Sequence, residues 1–335
     1  MTKILDLFFP PQHRRDDIFS PEMERELQSL ADYQAYNGGD INCESDSSVL
    51  RKALYEADII ITGWGAPLLP VDLKEKGKLS YVCSISGGVR ANVPRVLLEH
   101  GLLVSNWGSA ISRTIAEATL MMILGCLRRI RPTQEVIHNR GGYWSVPDPQ
   151  SLFERKVGLF GFGAIARALV PLLRPFDVEI YAYDPYLPEH VFEKYGVKPV
   201  ASLESLFSTC DIISLHAAKT LQTNGVINQD ILRLLPEDGV LVNTSRGACL
   251  NEAHLAAELN SGRLWAALDV YNQEPIPQDS PLRGSERLLL FPHKAGPTKD
   301  RRIDMGRFAL ANLRRYLAGE PVEAVVTLAQ FALMT

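Results

Sequence analysis

The segment from Lys156 to Asp184 constrains the fold of this chain more than any other. It reads KVGLFGFGAIARALVPLLRPFDVEIYAYD, in which residues 157–160 and 179–183 are apolar runs typical of buried parallel strands. Small residues with the spacing G-x-G-x-x-G/A lie between the two runs: Gly161, Gly163 and Ala166. A strand, a tight turn, a helix and a second strand in this order predict a parallel α/β sheet.

The small residues of this segment each suit a dinucleotide. Gly161 permits the tight turn, Gly163 lets a pyrophosphate approach the backbone, and Ala166 lets the helix pack close to the strand. The amides of Ala164 and Ile165, at the start of the helix, then face the phosphates. The alternative is an ordinary turn that contains glycine.

Asp184 ends the second strand, roughly 20 residues beyond the glycines, where an acid can bind the adenosine ribose. Because a carboxylate repels a 2'-phosphate, Asp184 favours NAD over NADP. Its alternative role is that of a turn residue before Pro185. Pro171 lies inside the intervening helix, where it removes a backbone donor, and we expect it to bend the helix.

Length and charge set limits on the protein. A chain of 335 residues can bury two cores and predicts two domains, and a net charge of -4 argues against a nucleic-acid partner. The cysteines are odd in number and form no C-x-x-C pair: Cys43, Cys83, Cys126, Cys210 and Cys249. We therefore expect no metal site and a reducing, cytoplasmic location. The apolar run 118–127 is too short to span a bilayer, and no signal peptide is expected.

Strand-like and helix-like segments alternate along the chain. Strands of a first lobe are predicted at 3–9, 58–62, 80–84 and 102–105, with a helix at 21–30, and a long helix at 113–130 follows. A central lobe has further strands at 211–216, 240–244, 266–270 and 288–291 and helices at 229–235 and 252–260. This pattern predicts two doubly wound parallel sheets.

The last helical segment, 298–317, has too little chain after it to form a domain, so we expect it to return to the first lobe. The predicted domains are residues 1–108 with 297–335, and residues 109–296. Two crossing helices join them and leave a cleft in which a cofactor and a small substrate would meet.

Three reactive side chains follow consecutive predicted strands of the central lobe. Arg246 lies in NTSRG, Glu274 in DVYNQEP and His293 in FPHKAG. Carboxyl ends of parallel strands share one sheet edge, where such folds bind ligands. An arginine there can hold a carboxylate and polarise a carbonyl, while a carboxylate beside histidine favours its protonated form for proton transfer.

Each of these side chains also has an ordinary alternative. Arg246 could cap a helix, Glu274 could be a solvated loop charge and His293 a satisfied buried histidine. Three such groups beside a dinucleotide motif favour the catalytic interpretation. The remaining histidines are expected on surfaces, in loops or at a strand end: His13, His100, His138, His190, His216 and His254.

GFGAIA with Asp184, NTSRG, DVYNQEP and PHKAG together resemble the D-isomer-specific 2-hydroxyacid dehydrogenase family. The resemblance is strong over residues 106–296. It implies Rossmann-like domains and NAD-dependent interconversion of a 2-keto acid and a D-2-hydroxy acid. It also implies a homodimer through the NAD-binding domains, with residues 113–130 and the RGGYW segment as the surface.

The resemblance also implies roles for single residues. Arg246 corresponds to the arginine that binds the substrate carboxylate and keto oxygen, and His293 to the acid/base. Glu274 corresponds to the glutamate that orients and charges this histidine. Asp269 corresponds to the aspartate that contacts the nicotinamide carboxamide, and Thr244 lies at a cofactor-contacting strand end.

Departures from the family pattern fall in the first lobe. The loop SISGGVRANVP, residues 84–94, occupies the place of a glycine-rich segment whose amides hold the substrate carboxylate. Gly88 and Val89, with Gly87, keep its backbone-exposing character, while the usual acids are replaced and Arg90 is added. Arg90, together with Trp64 in the facing loop TGWGAP, suits a bulky, polar substrate. The alternative for Arg90 is a surface residue that braces the loop.

A further departure lies in LHAAKT, in the central lobe. Ala218 stands there in place of the proline that is customary in the family, and this replacement bears on the detailed adenine pocket.

Two other functions share this pattern. An NAD-binding transcriptional corepressor has the same fold and triad, but nothing in this sequence resembles a peptide-docking extension. A formate-type dehydrogenase typically has glutamine where this chain has Glu274. The substrate itself, among glyoxylate, hydroxypyruvate, lactate-type and larger keto acids, is left open by the sequence.

Overall fold

The computed structural model describes residues 1–8, 15–36, 48–141 and 146–334. Several predicted features lie outside these residues: Phe9 at the end of the first strand, His13, Cys43 and most of RGGYW. The chain divides into two compact units, one of Met1–Ile111 with Thr298–Thr335 and the other of Ser112–Pro297. We call them the first and the second unit.

The first unit contains a five-stranded parallel sheet with the order β2-β1-β3-β4-β5. Its strands are β1 Lys3–Asp6, β2 Asp32–Ala35, β3 Ile59–Thr62, β4 Tyr81–Ser84 and β5 Leu103–Ser105. Its α-helices are Pro21–Leu30, Ser48–Glu56, Leu73–Lys76, Arg95–Glu99, Ile303–Leu317 and Leu328–Leu333. Every residue of β3 and β4 is buried, as expected of central parallel strands.

Local sequence explains the first helix of the first unit, and a ring contact holds the last long helix against the sheet. Ser20 accepts a hydrogen bond from the amide of Met23 and Pro21 occupies the first turn, so the predicted helix 21–30 begins and ends as expected. Helix Ile303–Leu317 belongs to this unit, and Tyr316 at its end stacks on Tyr81 of β4 with ring centroids 4.7 Å apart. The last long helix therefore packs against the sheet of the first unit.

The second unit contains a seven-stranded parallel sheet with the order β12-β11-β10-β9-β6-β7-β8. Its strands are β6 Lys156–Phe160, β7 Glu179–Tyr183, β8 Lys198–Pro199, β9 Ile212–Leu215, β10 Val240–Asn243, β11 Trp265–Leu268 and β12 Leu288–Leu290. The strand order reverses between β6 and β9, and ligands of open α/β sheets bind beyond the carboxyl ends of the strands at such a switch point.

Helices cover both faces of this sheet. The α-helices are Ser112–Leu127, Ile130–Glu135, Ala164–Leu173, Glu189–Glu193, Leu203–Thr209, Gln229–Leu232 and Glu252–Asn260, and Val136–Arg140 forms one π-helical turn. Helix Ala164–Leu173 continues through Pro171, so this proline does not abolish it.

The single helix predicted over 113–130 is interrupted. It ends at Leu127, because Arg129 has the left-handed φ of 52° and its guanidinium is buried 3.9 Å over the ring of Trp265. Burial of this cation by stacking and by an ion pair with Asp238 fixes the break. The predicted α/β class with two parallel sheets is confirmed. None of the helices in the described ranges is long and apolar enough to cross a membrane.

Candidate active site

Gly161 makes the turn after β6 that the sequence predicts. Its φ is +85°, and a Cβ at this position would lie 2.7 Å from the amide nitrogen of Ala217. Its own amide donates to the carbonyl of Tyr183 at 2.9 Å. Both the left-handed backbone and the close approach of the chain after β9 therefore require glycine.

The start of helix Ala164–Leu173 is open. Gly163 and Ala164 are exposed, and a Cβ at Gly163 would meet nothing within 4 Å. Ala166 is fully buried against the sheet. The first amides of a helix lack intrahelical partners and carry the positive end of its dipole. These residues, with Ile165, therefore fit an anionic pyrophosphate.

Asp184 joins the glycine turn to the end of β7. Its Oδ2 accepts from the amide of Phe162 at 2.9 Å and its Oδ1 from the amide of Tyr186 at 3.1 Å. The side chain is half-buried, and each carboxylate oxygen keeps a further lone pair for a ribose hydroxyl. The structure thus gives Asp184 a turn-stabilising role that is compatible with the predicted ribose contact.

His216, after β9, lies next to this turn. Its Nε2 is 2.9 Å from Oγ of Ser214, while its Nδ1 is screened from solvent and has no partner among the described residues. Burial lowers the pKa of His216 to about 4. This histidine is therefore neutral under ordinary conditions.

Arg246 follows β10 and is held by its own loop. Asn243 Nδ2 donates to the carbonyl of Arg246 at 3.0 Å, and Arg246 Nη1 donates to the carbonyl of Ser245 at 2.7 Å. Burial lowers the pKa of Arg246 from its ordinary value, against the attraction of the Glu274 carboxylate. A partly desolvated guanidinium interacts more strongly with a carboxylate than one in water does.

Gly247 brings the Arg246 loop against the loop after β11. A Cβ at Gly247 would lie 2.0 Å from the carbonyl carbon of Tyr271, so no larger residue fits. Asn272 Nδ2 also donates to the carbonyl of Leu250 at 3.1 Å. The two segments NTSRG and DVYNQEP are therefore packed together.

Glu274 and His293 form a hydrogen-bonded pair. Glu274 Oε2 lies 2.6 Å from His293 Nδ1, and Glu274 Oε1 accepts from the amide of Tyr271 at 3.0 Å. Burial opposes ionisation of Glu274, but the hydrogen bonds from His293 and Tyr271 outweigh it, so that the pKa of Glu274 is lowered. The carboxylate accepts only, so Nδ1 donates and Nε2 is left for a substrate.

The loop that carries His293 has an unusual backbone. His293 has φ of +54°, a conformation that residues other than glycine seldom adopt. Asp269, which is buried after β11, holds this loop: its two carboxylate oxygens accept from the amides of Lys294 and Ala295, each at 2.8 Å. Strained residues persist where the surroundings fix them. The predicted contact of Asp269 with nicotinamide stays a prediction.

Thr244, at the end of β10, is buried, and its Oγ1 lies 3.0 Å from Oγ1 of Thr119. Its predicted cofactor contact also stays a prediction. The structure does bring Arg246, Glu274 and His293 to one edge of the seven-stranded sheet, after β10, β11 and β12. No group of three His, Cys, Asp or Glu arranged to hold a metal occurs in the part of the chain that is described.

The loop after β4 in the first unit exposes backbone amides. Ser86 Oγ donates to the carbonyl of Gly88 at 2.9 Å, and Asn106 Nδ2 donates to that of Gly87 at 2.9 Å. The carbonyl of Val89 accepts from the amides of two later residues, Asn92 and Val93. Within the described ranges, the amides of residues 87–89 have no hydrogen-bond acceptor. The loop thus turns its carbonyls toward protein donors and leaves its amides for an anion.

The side chains around this loop are not all placed as expected. Val89 is fully buried, so only its backbone is available to a ligand. Arg90 Nη1 donates to the carbonyl of Met334 at 3.0 Å, and the guanidinium lies 6.0 Å from the ring centroid of Phe331. This arrangement corresponds to the bracing alternative for Arg90. Trp64 is 48% exposed and contacts Trp107.

Sequence reasoning missed Ser86, Asn106 and Trp107. Asn106 and Trp107 directly follow β5, and this position at a carboxyl strand end is the one signal that pointed to them. Nothing in the sequence pairs either residue with the loop 87–89.

The fold and the site define a doubly wound, dinucleotide-binding α/β protein. Residues 120–295, more than half of the chain, match the family described as "D-isomer specific 2-hydroxyacid dehydrogenase, NAD binding domain". The chain therefore belongs to the D-isomer specific 2-hydroxyacid dehydrogenase family, and its second unit contains an NAD-binding domain.

Individual relatives agree with this family. A glyoxylate reductase of Thermofilum pendens is 32% identical over 241 residues, which cover 68% of this chain and 69% of that protein. A D-3-phosphoglycerate dehydrogenase of Methanocaldococcus jannaschii is 28% identical over 83% of this chain, which spans about half (53%) of that longer protein. The crystal structure of a glyoxylate reductase from Paecilomyes thermophila has the same fold, with a TM-score of 0.79 at 22% identity, covering 97% of this chain and 98% of the other.

Proposed function

We propose that this protein is an NAD-dependent oxidoreductase that interconverts a 2-keto acid and a D-2-hydroxy acid. The observation that carries the proposal is the Glu274–His293 pair, 2.6 Å apart, on the sheet edge that also carries Arg246. An acid/base and a fixed cation at the carboxyl edge of an NAD-binding sheet are the groups that reduction of a keto acid needs.

His293 moves the proton in this mechanism. In reduction, Nε2 of protonated His293 donates a proton to the keto oxygen, while Glu274 fixes the ring through Nδ1 and stabilises its positive charge. In oxidation, neutral His293 accepts the hydroxyl proton. The nicotinamide, when bound, supplies the hydride to the keto carbon or accepts it from the hydroxy acid. The proton and hydride together convert the carbonyl to an alcohol.

Arg246 binds the substrate carboxylate and polarises the keto oxygen. A guanidinium can do both through its planar set of donors, and partial burial strengthens each interaction. The amides of Gly88 and Val89 are proposed to bind the same class of anion in the first unit. Their support is that their carbonyls are all occupied and their amides are not.

The NAD-binding residues are assigned by the fit described above. Gly161, Gly163, Ala164 and Ile165 would hold the pyrophosphate, and Asp184 the adenosine ribose. Thr244 and Asp269 are proposed at the nicotinamide end. A cytoplasmic homodimer, associated through the NAD-binding domains, is also part of this proposal and rests on the family resemblance.

A formate-type dehydrogenase is less well supported. This chain has Glu274 where a formate-type dehydrogenase typically has glutamine, and the Glu274 carboxylate, whose pKa is lowered, lies 2.6 Å from Nδ1 of His293. A corepressor-like role would leave the chain with NAD binding and little turnover.

The proposal is tested by a screen of 2-keto acids with NADH and with NADPH, followed by nicotinamide absorbance. We expect turnover of at least one keto acid, with NADH preferred. Asp184→Ala should narrow that preference, because the negative charge that repels a 2'-phosphate is removed. NADH binding without turnover of any keto acid would favour the corepressor alternative, and equal turnover of the wild type with both cofactors would contradict the role of Asp184.

A further inference from the structure

Two indole rings form an apolar surface in the first unit. Trp64, after β3, and Trp107, after β5, meet edge to face, with ring centroids 5.3 Å apart and an interplanar angle of 74°. Trp64 is 48% exposed and Trp107 is partly buried. An exposed tryptophan is uncommon unless it contacts something, because its large apolar area is costly to leave in water.

This pair is attached to the anion-binding loop. A Cβ at Gly87 would lie 2.8 Å from the ring atoms of Trp107, so the indole packs directly on the backbone of that glycine. Asn106, the residue before Trp107, donates to the carbonyl of Gly87. The aromatic surface and the free amides of residues 87–89 therefore form one continuous structure within the first unit.

The chemistry of the substrate connects the two features. In a 2-keto acid, one carbonyl carbon separates the carboxylate from the side chain. A carboxylate bound at the amides would keep the side chain within a few bond lengths of the loop, and the indole of Trp107 packs on Gly87 of this loop.

The polar groups nearby are already engaged. Arg90 is bonded to the carbonyl of Met334 and faces Phe331, and Ser86 and Asn106 donate to loop carbonyls. Among the residues that the structure describes here, the surface offers a side chain two aromatic rings, and the nearby charge of Arg90 is already bonded. Such a surface suits an apolar side chain, whereas the sequence, with Arg90 and Trp64 considered together, predicts a polar substrate.

We propose that Trp64 and Trp107 form the side-chain subsite of this enzyme and select 2-keto acids with a flat, apolar side chain, such as phenylpyruvate, over glyoxylate and pyruvate. This inference rests on the proposed function. Edge-to-face and stacked contacts between aromatic rings stabilise such a side chain beyond its simple burial.

The test compares kcat/KM for phenylpyruvate, 4-methyl-2-oxopentanoate, pyruvate and glyoxylate with NADH. The wild type should prefer phenylpyruvate to glyoxylate by roughly tenfold or more. Trp64→Ala should lower kcat/KM for phenylpyruvate by about tenfold and that for glyoxylate by less than about threefold, and Trp64→Phe should be intermediate. Val71→Ala, which truncates another exposed apolar residue of the first unit, serves as the control.

A second measurement does not depend on turnover. Phenylpyruvate should quench the tryptophan fluorescence of the complex with oxidised NAD, which has no hydride to give to a keto acid, more than glyoxylate does, and Trp64→Phe should reduce the difference. Circular dichroism verifies that each variant is folded.

The outcomes separate the two proposals. Turnover of glyoxylate equal to or above that of phenylpyruvate, with Trp64→Ala affecting both alike, would overturn the subsite and leave the dehydrogenase intact. Absence of turnover with every keto acid would overturn both.

Discussion

The carboxyl edges of the two sheets are polar in different ways. At the edge of the seven-stranded sheet, the polar groups are side chains: Arg246, and His293 with its partner Glu274. At the edge of the five-stranded sheet, they are backbone amides of a loop whose carbonyls accept from Ser86 and Asn106. Side chains carry charge and exchange protons, whereas amides only orient and bind.

Because of this difference, we expect changes at the two edges to alter different kinetic parameters. Changes at the seven-stranded edge should alter turnover, and their effect should depend on pH, because the proposed proton transfer takes place there. Changes at the five-stranded edge should alter substrate affinity and specificity without a dependence on pH. The following experiments test this division, beginning with the largest expected effect.

His293→Ala should lower kcat by roughly 100-fold or more, because a positioned acid/base is removed. Binding of NADH, measured by fluorescence titration, should remain close to that of the wild type. The control is His138→Ala, which alters an exposed histidine of the same unit that contacts Gln134. Near-normal turnover of a folded His293→Ala protein would show that the acid/base is misassigned.

Glu274→Gln should lower kcat by about tenfold at mildly alkaline pH. Because the pKa of Glu274 is lowered, its carboxylate is charged and stabilises the pair at every pH above the ordinary carboxyl pKa. The charge, and with it this stabilisation, is lost only as the pH falls through the lowered value. Glutamine is neutral at every pH, so the imidazolium loses this support. The acidic or the alkaline limb of the pH profile of keto-acid reduction should therefore shift.

The measurement for this variant is the pH profile of kcat. Glu189→Gln, an exposed glutamate at a helix start in the same unit, provides the control. A profile that coincides with that of the wild type would count against the pairing of Glu274 with His293.

His216→Gln should remove part of the acid sensitivity of the second unit. The pKa of His216 is about 4 in the fold against an ordinary 6.5, so its contribution to stability is complete above pH 6.5 and is lost as pH falls toward 4. Between neutral pH and about pH 5, the wild type should lose about 1–2 kcal/mol more unfolding free energy than the variant. Urea unfolding at the two pH values measures this, and parallel losses in both proteins would contradict it.

Asn106→Ala should raise KM for the keto acid about fivefold, since one hydrogen bond that orients the loop is lost. Turnover at saturating substrate and NADH binding should change little, and the ratio of variant to wild-type KM should not vary with pH. Asn139→Ala, at an exposed residue of the second unit, is the control. A fall in kcat at unchanged KM would remove the distinction between the two edges.

Arg90→Ala should have the smallest effect, less than about twofold on any keto acid, since its guanidinium is bound to Met334 and Phe331. The expected change is faster proteolysis near helix Leu328–Leu333, which Arg90 braces. The measurement is kcat/KM of the wild type and of Arg90→Ala for pairs of keto acids that differ only in a distal polar group. A loss confined to the polar member would restore the specificity role first expected of Arg90.

Much of the second unit could be predicted from the sequence because its signals are local. The buried strands are continuous apolar runs, and their predicted ends differ from the observed ones by a residue or two. Strand β7 was predicted with its observed bounds, and the turn at Gly161 was recognised from spacing alone. Arg246, Glu274 and His293 each lie in a short segment directly after a strand, so parallel topology suffices to bring them to one edge.

Features that depend on distant contacts could not be predicted. The break at Arg129 requires Trp265, more than 100 residues away, to bury the guanidinium. Edge strands β2 and β8 have little apolar pattern, because they are exposed on much of their surface. The roles of Ser86 and Asn106 became visible only with the carbonyls that they bind.

The contact of Gly247 with the backbone of Tyr271 has a consequence for how this protein can diverge. With 2.0 Å between a hypothetical Cβ and the carbonyl carbon, a side chain at Gly247 would separate the loop of Arg246 from that of Glu274. The two loops therefore have to change together. New substrate preferences are then expected to arise from changes in the first unit, such as an exchange of Trp64, with the hydrogen-bonded pair of Glu274 and His293 retained.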